Sequence, residues 1–511
     1  MSDLSRRDAA KRIARFGAVL ATGGLIGPRA AALAQDDPVL AGRPLVRYPE
    51  KTDLILLTSR PPQLETPMKY FDRAITPNEA FFVRYHVFPI PLEVDLATWR
   101  LRVTGRVDRP LELSLDDLKT KFPRAAVIAA NQCSGNSRGR FSPRVLGGQW
   151  GDGAMGNAEW IGARLKDVLA AAGVRQGAVQ ATFDGLDKPA FPSVPDFVKS
   201  LDITRIMDDP DILVAYQMNG APLPMLNGYP ARLIVPGWYA TYWVKNLSEI
   251  EVVDQVFEKF WMKPGYRIPD NACGCIAPGT APARTVPINR MTVRSFIASP
   301  APGTRVPLGR PVTLKGIAFD GGYGIQEVHI SVDGGATWRR TDLGGDLGRY
   351  SFREWSSTWT PSQAGPARVM VRAFNRIGES QGREPLWNPA GYLRNVIEHV
   401  DLQVGSETAM RRIVGPGLLV LALVASAVAA DKTIPMPPDH AYATLKPGAG
   451  VEVTRQQCTP CHSTDYIVMQ PRGNAKQWDG VVTKMIKVFG APVSDQDAKT
   501  IVEYLATQYG N

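Results

Sequence analysis

Residues 129–138 read Ala129-Ala130-Asn131-Gln132-Cys133-Ser134-Gly135-Asn136-Ser137-Arg138, a small polar loop whose cysteine has no cysteine neighbour. An arginine follows the cysteine by five residues. Thiolates are soft metal ligands, and a nearby guanidinium favours the thiolate and attracts anions. Lone cysteines are more often core residues, so this stretch alone favours a structural cysteine beside a surface arginine.

Two further stretches flank this loop in the sequence. Residues 78–86 read NEAFFVRYH, and residues 220–245 read GAPLPMLNGYPARLIVPGWYATYWVK. The first resembles the F-x-V-R-x-H segment of the sulfite oxidase family, and Cys133 to Arg138 resembles that family's C-x-G-N-x-R cofactor loop. The third resembles its pterin-binding segment. Because three motifs occur in the family's order, the resemblance covers about residues 40–405.

The resemblance implies a molybdenum cofactor carried by molybdopterin. Cys133 matches the cysteine whose thiolate binds the metal. Asn227, Arg232 and Lys245 match positions that hold the pterin and its phosphate, although Asn227 stands where animal relatives have histidine. Asp187 is a further candidate for pterin contact. A guanidinium and an ammonium suit a phosphate dianion by fork and point-charge geometry.

The resemblance also implies a substrate pocket for sulfite. Arg84 and Arg138 match arginines around the family's oxyanion pocket, and paired permanent cations would bind and orient a dianion. Tyr266 matches the family's active-site tyrosine. His86 is expected to share its hydrogen-bond network, and Trp150 is a candidate pocket wall. The implied reaction is oxygen-atom transfer that converts sulfite to sulfate.

The composition fits a globular protein of several domains. With 511 residues, 44% of them hydrophobic, the chain has room for three or four domains with their own cores. The net charge of +10 comes without a basic helix, basic run or zinc-finger spacing, so we expect no nucleic-acid partner. The charge favours small anions or an acidic partner.

The first 34 residues read as an export signal. Ser5-Arg6-Arg7 precedes an apolar run from Phe16 to Ile26, and Ala32-Leu33-Ala34 forms a cleavage site. The pattern resembles a twin-arginine signal and predicts a periplasmic protein. Cys273 and Cys275 form a C-x-C whose two thiols could be a short-loop disulfide, a reduced pair or incidental.

Residues 36–287 mix short strands with helices and predict an α+β molybdopterin-binding domain. Leu101 to Gly105 reads as a strand, Ser114 with Asp117 as a helix start, and residues 164–172 as a helix closed by Gly173. We expect no nucleotide cofactor, because neither a Rossmann glycine fingerprint nor a P-loop occurs.

Residues 288–405 have a different texture. Polar and apolar residues alternate over 327–333 and lead into Gly334-Gly335, and residues 368–374 supply another strand-like run. Short strands at this spacing predict an immunoglobulin-like β-sandwich. The family resemblance implies that this domain mediates dimerisation.

A second signal-like segment covers residues 410–430. Met410-Arg411-Arg412 opens an apolar run that continues from Ile413 to Ala430. A single membrane span would leave its flanking domains on opposite sides of the membrane. We therefore expect a cleaved signal, a fusion of two precursor sequences, or a linker or anchor that does not span.

Residues 431–511 contain Cys458-Thr459-Pro460-Cys461-His462, the spacing of c-type haem attachment. Cys458 and Cys461 would form thioethers to haem c, and His462 would bind the iron. Met485 and Met469 are candidates for the second axial ligand. We favour Met485, because Met469 follows His462 by only seven residues, although Met485 also fits a packed helix face. The segment resembles a small, all-α class I cytochrome c.

These patterns favour sulfite oxidation at molybdenum, with electrons passed singly through haem c to an external cytochrome c. A related molybdenum oxotransferase that acts on another substrate, such as a sulfoxide, is an alternative, but those relatives generally lack the sandwich and a fused haem. An electron-transfer protein with an inactive molybdenum site is a third reading. The retention of Cys133, Arg84, Arg138 and Tyr266 argues against it.

Overall fold

The computed structural model of the chain describes residues 39–406, 431–436, 438–439 and 443–511. The predicted export signal and the predicted second signal-like segment, 410–430, lie outside the described residues. Within these ranges, no helix combines the length and the apolar character that crossing a membrane requires.

The regular elements are mostly β-strands. In chain order the strands are β1 (Leu45–Arg47), β2 (Asp53–Thr58), β3 (Gln63–Glu65), β4 (Val83–Arg84), β5 (Glu93–Val94), β6 (Leu101–Gly105), β7 (Leu111–Leu113), β8 (Arg124–Gln132), β9 (Met155–Arg164), β10 (Gln180–Gly185), β11 (Lys199–Asp202), β12 (Leu213–Met218), β13 (Ala221–Pro222), β14 (Arg232–Ile234), β15 (Leu247–Val253), β16 (Arg267–Pro269), β17 (Thr285–Pro287), β18 (Arg294–Ser299), β19 (Arg305–Pro307), β20 (Val312–Phe319), β21 (Ile325–Ser331), β22 (Arg339–Arg340), β23 (Asp342–Leu343), β24 (Arg353–Trp359), β25 (Gly365–Asn375), β26 (Glu398–Gly405) and β27 (Lys432–Thr433). The α-helices are α1 (Leu115–Thr120), α2 (Leu165–Ala172), α3 (Ile203–Asp208), α4 (Val451–Cys458), α5 (Asp465–Val468), α6 (Ala475–Lys487) and α7 (Asp495–Tyr509). Short 3-10 helices cover Met68–Phe71, Asn78–Ala80, Arg138–Arg140, Met225–Asn227 and Ala240–Tyr242.

The amino-terminal region, residues 39–287, is built from three main sheets around one core. Their strand orders are β1-β2-β3-β4, β11-β10-β15-β6-β7 and β13-β12-β9-β8, with β14 also paired to β12. The predicted strand at Leu101–Gly105 is present. Ser114 caps α1 through a reciprocal capping box with Asp117, and α2 ends at Gly173, whose φ is +72°. The region predicted to be α+β is mostly β, because its α-helices have only six or eight residues each.

Strand β8 delivers the cysteine loop to the centre of this region. It pairs with β9 over its whole length, from Arg124 opposite Ala163 to Gln132 opposite Met155. Its first residues alternate in exposure, but Ala129 to Gln132 are all buried, because other elements cover both faces of its end. Cys133 therefore leaves the sheet inside the protein.

The sandwich, residues 288–405, has the predicted two sheets. Their strand orders are β18-β20-β24-β23 and β19-β26-β25-β21-β22, and apolar side chains of both sheets form one core. The predicted hairpin joins β21 to β22 antiparallel. The first sheet also packs against the amino-terminal region, where Phe352 meets Phe71 edge-on with 5.9 Å between ring centroids.

The carboxy-terminal domain, residues 443–511, consists of helices α4 to α7. Ser494 accepts a hydrogen bond from the Asp497 amide at the start of α7, as its sequence predicts. Ile501, Tyr504 and Leu505 are buried and pack with Trp478 and Val482 of α6. Strand β27 lies apart from these helices, since it pairs antiparallel with β5 of the amino-terminal region.

Candidate active site

A pocket lies in the amino-terminal region and brings together most of the predicted site residues. Its walls are Phe82, Arg84, His86, Cys133, Ser134, Phe197, Asn227, Arg232, Ala240, Thr241, Trp243, Lys245 and Tyr266. Seven of these were predicted from the sequence motifs. Arg138 and Asp187 lie outside the wall, and the haem-motif residues belong to another domain.

The loop that carries Cys133 is fixed by hydrogen bonds on both sides. The Cys133 amide donates to Ala154 O at 2.9 Å, and Asn136 Oδ1 accepts from the Ala154 amide at 3.0 Å. Ser137 has a φ of +67°, and its hydroxyl donates to Asp152 Oδ1 at 2.6 Å. The sandwich adds Arg294, whose Nη2 donates to the same hydroxyl at 3.0 Å. Cys133 is thus a buried free thiol on a rigid loop.

Arg138 stands behind the pocket wall. Its Nη1 donates to Gly148 O at 3.1 Å and its Nε to Ala390 O at 3.0 Å. The guanidinium lies 5.1 Å from the Tyr392 ring centroid, and that ring stacks on Tyr266 at 5.7 Å. Arg138 therefore lies against Tyr392, the ring that stands behind the Tyr266 wall of the pocket.

Tyr266 and His86 form a hydrogen-bonded pair between the Tyr266 hydroxyl and His86 Nε2. Tyr266 has a φ of +56°, an uncommon conformation for a bulky residue, and this turn directs its ring inward. Burial holds the pKa of His86 well below its usual value, and the charges of Arg84, Lys245 and Lys199 lower it further. Burial also raises the pKa of Tyr266 above its usual value. Both groups are neutral near pH 7.

Buried cations surround the pocket. Burial lowers the pKa of Lys51 to about 7 and that of Arg232 to about 9. Burial and the neighbouring charge of Arg232 lower the pKa of Lys245, whose Nζ donates to Arg84 O at 2.6 Å. Such groups are costly to keep charged without a counter-ion. A bound anion would restore their charge, so the pocket suits a phosphate.

Asn227 is held from behind by Lys51. Lys51 Nζ donates to Asn227 Oδ1 and, at 2.8 Å, to Asn78 O, while Asn227 Nδ2 donates to Phe82 O at 3.0 Å. Asn227 O in turn accepts from Arg232 Nη1 at 3.2 Å. Both polar atoms of the Asn227 side chain therefore have hydrogen-bond partners in the protein, which fix the position of this part of the pocket wall.

Asp187 and Trp150 lie near the pocket but not in its wall. Asp187 is buried, and burial raises its pKa to about 6 against the opposing charge of Lys245. Trp150 is buried and packs edge-on against Phe82 at 6.5 Å. Both residues support wall residues from outside.

Several buried polar atoms at the pocket have no hydrogen-bond partner among the described residues. They include His86 Nδ1, Ser134 Oγ, Arg232 Nε and Thr241 Oγ1. Buried polar groups are normally satisfied, so a set of unsatisfied atoms around one pocket points to a polar ligand. With a soft thiol at one side and cations at another, the residues fit a molybdopterin with its phosphate.

The haem motif lies at the contact between the carboxy-terminal domain and the amino-terminal region. Cys458 ends α4, and both Cys458 and Cys461 are free thiols. His462 Nδ1 lies 2.9 Å from Ser463 O, which favours the tautomer that leaves Nε2 free. Met485 is half-buried on α6. Met469 is also half-buried, and its Sδ accepts from the Gln149 amide at 3.5 Å.

Several cationic and aromatic neighbours of the site among the described residues had not been predicted, and three of them interact with the predicted site residues. The three are Lys51, Lys199 and Tyr392. Lys199 begins β11, donates to Trp261 O at 2.6 Å and lies 5.1 Å from the Tyr266 ring. Residues 197–201 form a strand-like run that contains Lys199, and a lysine in such a run was a local signal that this side chain is buried. Lys51 and Tyr392 reach the site only through tertiary contacts.

Two family models match the chain. The oxidoreductase molybdopterin binding domain matches residues 87–261, and the Mo-co oxidoreductase dimerisation domain matches residues 285–405. Mitochondrial sulfite oxidase of Mus musculus is 34% identical over 386 residues, which cover 72% of this chain and 67% of the relative. Sulfite oxidase of Gallus gallus is 35% identical over 390 residues, which cover 72% and 82%.

A solved structure has a similar fold. The sulfane dehydrogenase SoxCD of Paracoccus pantotrophus matches with a TM-score of 0.59 and 25% identity over 75% of this chain and 92% of that one. These relatives support a molybdopterin cofactor, molybdenum-dependent sulfur oxidation and dimerisation. The chain belongs to the sulfite oxidase family, with that family's molybdopterin-binding and dimerisation domains.

Proposed function

We propose that this protein oxidises sulfite to sulfate at a molybdenum cofactor and passes the electrons singly through haem c to an external cytochrome c. The observation that carries the proposal is the pocket that joins the Cys133 thiol to Arg84, His86 and Tyr266. These residues combine a soft metal ligand, a cation for an oxyanion and a proton-carrying pair.

Molybdenum bound through molybdopterin supplies two-electron oxygen-atom transfer when present. In this chain, Cys133 would hold the metal, and Arg232 and Lys245 would hold the phosphate. Arg84 would bind an oxygen of sulfite, since its guanidinium lines the pocket and carries a permanent charge. Arg138 would contribute a positive electrostatic potential to the pocket from its position behind Tyr392. The aromatic wall would exclude water, which strengthens the electrostatic attraction between these charges and an anion.

The Tyr266 and His86 pair would manage a proton. With the ring proton on His86 Nε2, that nitrogen donates to the phenol oxygen, and the Tyr266 proton is then free to be donated into the pocket. The raised pKa of Tyr266 and the lowered pKa of His86 keep this arrangement neutral near pH 7.

We further propose that the carboxy-terminal domain is a class I cytochrome c. Cys458 and Cys461 would attach haem c, and His462, through Nε2, and Met485 would bind its iron, with Met469 as the alternative to Met485. The attachment spacing, the four helices and the His462 tautomer support this.

The periplasm is the proposed location. The first 34 residues resemble a twin-arginine signal, and c-type haem attachment is expected in the same exported compartment. Cys273 and Cys275 form a disulfide, which resolves the three readings of this pair in favour of a bond typical of oxidising compartments.

The test is sulfite-dependent reduction of the protein's own haem, followed by absorbance, together with metal analysis. We expect about one molybdenum and one haem per chain, as the single thiol loop and single attachment motif imply. In Cys133→Ser, haem reduction should fall by about a hundredfold or more, because a hydroxyl is a poor soft-metal ligand.

A control replaces both Cys273 and Cys275 with serine, which removes their disulfide but leaves the Cys133 thiol in place, and should retain haem reduction. Unchanged haem reduction in Cys133→Ser would overturn the assigned role of Cys133. Haem without molybdenum in the wild-type protein would instead support an electron carrier with an inactive site.

Oxidation of a sulfane-sulfur anion is a second candidate, because the structural neighbour SoxCD is a sulfane dehydrogenase. The same haem-reduction assay with thiosulfate in place of sulfite separates the two reactions. A higher kcat/KM with sulfite supports the proposal, and a higher value with the sulfane compound supports the alternative.

A further inference from the structure

The carboxy-terminal domain covers three segments that support the pocket. They are Ser59 to Gln63, Gly147 to Gln149, and the wall around Phe260 and Trp261. The first two contacts come from residues 463–470 and the third from Phe489 and Gly490. The domain therefore contacts the segments that pack against Arg84, Arg138 and the wall that contains Tyr266.

The first contact lies beside Arg84. Gln63 of β3 lies opposite Arg84 of β4 in the antiparallel pair, and residues opposite each other on paired strands share a face. Gln63 Nε2 donates to the Tyr466 hydroxyl, and Gln63 Oε1 has no partner in the part of the chain that the structure describes. Gln63 is buried, so the Tyr466 hydroxyl is the contact that orients its amide.

Arg84 and Tyr466 also interact electrostatically. The positive charge of Arg84 acts on the Tyr466 phenol. Arg84 Nη1 donates to Tyr85 O, which directs the guanidinium along the wall. The phenol oxygen of Tyr466 is thus part of the polar surroundings of Arg84.

The second contact supports Arg138. The Gly147 amide donates to Gln470 Oε1 at 2.9 Å, and the Gln149 amide donates to Met469 Sδ at 3.5 Å. Between these two residues, Gly148 O accepts from Arg138 Nη1. The carboxy-terminal domain thus fixes the backbone that holds this arginine.

The third contact backs the aromatic wall. Phe489 packs edge-on against Phe260 at 5.0 Å and lies 6.2 Å from Trp261, and Trp261 packs against His86 at 5.2 Å. Ser193 Oγ donates to Gly490 O at 2.7 Å beside this cluster. These rings join the end of α6 to the pair formed by His86 and Tyr266.

We infer that the carboxy-terminal domain completes the sulfite pocket and that Tyr466 is a positioning residue, which acts on Arg84 through Gln63. The inference rests on the proposed function for its substrate. It gives the domain a role in substrate binding that is separate from electron transfer.

The test measures sulfite oxidation by Tyr466→Phe with ferricyanide as a small one-electron acceptor. The variant should raise KM for sulfite about three- to tenfold while kcat stays within about twofold, because the hydrogen bond that orients Gln63, the residue opposite Arg84, is lost. The inhibition constant for sulfate, an oxyanion that would use the same arginines, should rise by a similar factor.

Tyr509→Phe is the matched control. It removes a phenol from the same domain, where the Lys446 amide donates to the Tyr509 hydroxyl at 2.9 Å, but it leaves the contact with Gln63 intact. KM for sulfite should be unchanged in this variant. Gln63→Leu removes the same bond from the other side, and its effect should not add to that of Tyr466→Phe.

The outcomes separate the two proposals. A wild-type protein that turns over no sulfite defeats the proposed function. A wild-type protein that turns over sulfite while Tyr466→Phe and Gln63→Leu keep the wild-type KM defeats the inference alone. Additive effects of the two substitutions would also overturn it, because both are proposed to break one bond.

Discussion

Glu65 is a carboxyl group buried between the pocket strands and the cysteine loop. Its two oxygens accept the amides of Gly151 and Gly153, both at 2.8 Å, and its exposed fraction is 1%. Burial raises its pKa from 4.5 to about 7, although Arg43 opposes this rise. The folded state therefore holds the Glu65 proton more tightly than the unfolded state does.

We expect this group to make stability depend on pH. A raised folded-state pKa gives stability that is fully present below pH 4.5 and is lost as pH rises through about 7. The shift corresponds to about 3 kcal/mol across that window. Glu65→Gln cannot titrate, so the melting temperature of wild type relative to this variant should fall between about pH 5 and about pH 8.

Calorimetric melting of both proteins across this range checks the prediction. Glu112→Gln, the same change at an exposed position of β7, should show no such trend. The prediction is wrong if the melting temperature of wild type, relative to that of Glu65→Gln, stays constant or increases as pH rises.

Which site residues the sequence predicted depends on how each reaches the pocket. Cys133, Arg84 and Arg232 lie in motifs whose spacing is local, so the motifs identified them and the structure brings them together. Lys51 reaches Asn227 from a distant segment. No local pattern predicts such a contact, because the two residues are 176 positions apart in the chain.

At the scale of elements, the segment that follows α6 contacts the amino-terminal region through Phe489 and Gly490. Gly490 has a φ of +66°, and a Cβ on it would lie 2.4 Å from Ser193 O. A side chain there would meet both steric overlap and an unfavourable backbone conformation. Gly480 in α6 offers a contrast, because a Cβ there meets nothing within 4 Å.

We expect Gly490→Ala to loosen docking without unfolding either part. The amides of Ser59, which donates to Asp465 Oδ2 at 2.6 Å, and of Ser463, which donates to Arg60 O at 2.8 Å, should exchange about tenfold faster. Hydrogen exchange read by mass spectrometry measures this. Gly480→Ala should leave both amides protected, and equal exchange in wild type and Gly490→Ala would contradict the docking role.

Elements with local signals were predicted, and elements created by docking were not. A capping box announces α1, a glycine closes α2, and Ser494 starts α7. Strand β27 has two residues and no strand pattern, so its existence depends on β5 being present to pair with it.

At the scale of the whole molecule, the residues after the undescribed segment 407–430 bind the amino-terminal region directly. Lys432 Nζ lies 2.6 Å from Glu50 Oε1, and the Ile434 amide donates to Leu92 O at 2.8 Å. Arg60 forms a two-bond ion pair with Asp439, with both distances 2.7 Å. These contacts hold the carboxy-terminal domain in addition to its covalent connection.

A chain cut once within residues 410–430 should therefore remain one particle. A specific protease site inserted there allows the cut after folding. Size-exclusion chromatography at about micromolar concentration should then show both pieces in one peak. The reason is that buried backbone pairing and apolar contacts stabilise interfaces. Ile434→Asp places a charge in the core that Ile434 joins, so after the cut this variant should release its carboxy-terminal piece at a higher protein concentration than wild type does. Thr433→Ser at an exposed position is the matched control and should stay associated. Separation of the cut wild-type pieces would show that the connection, and not the interface, holds the domains together.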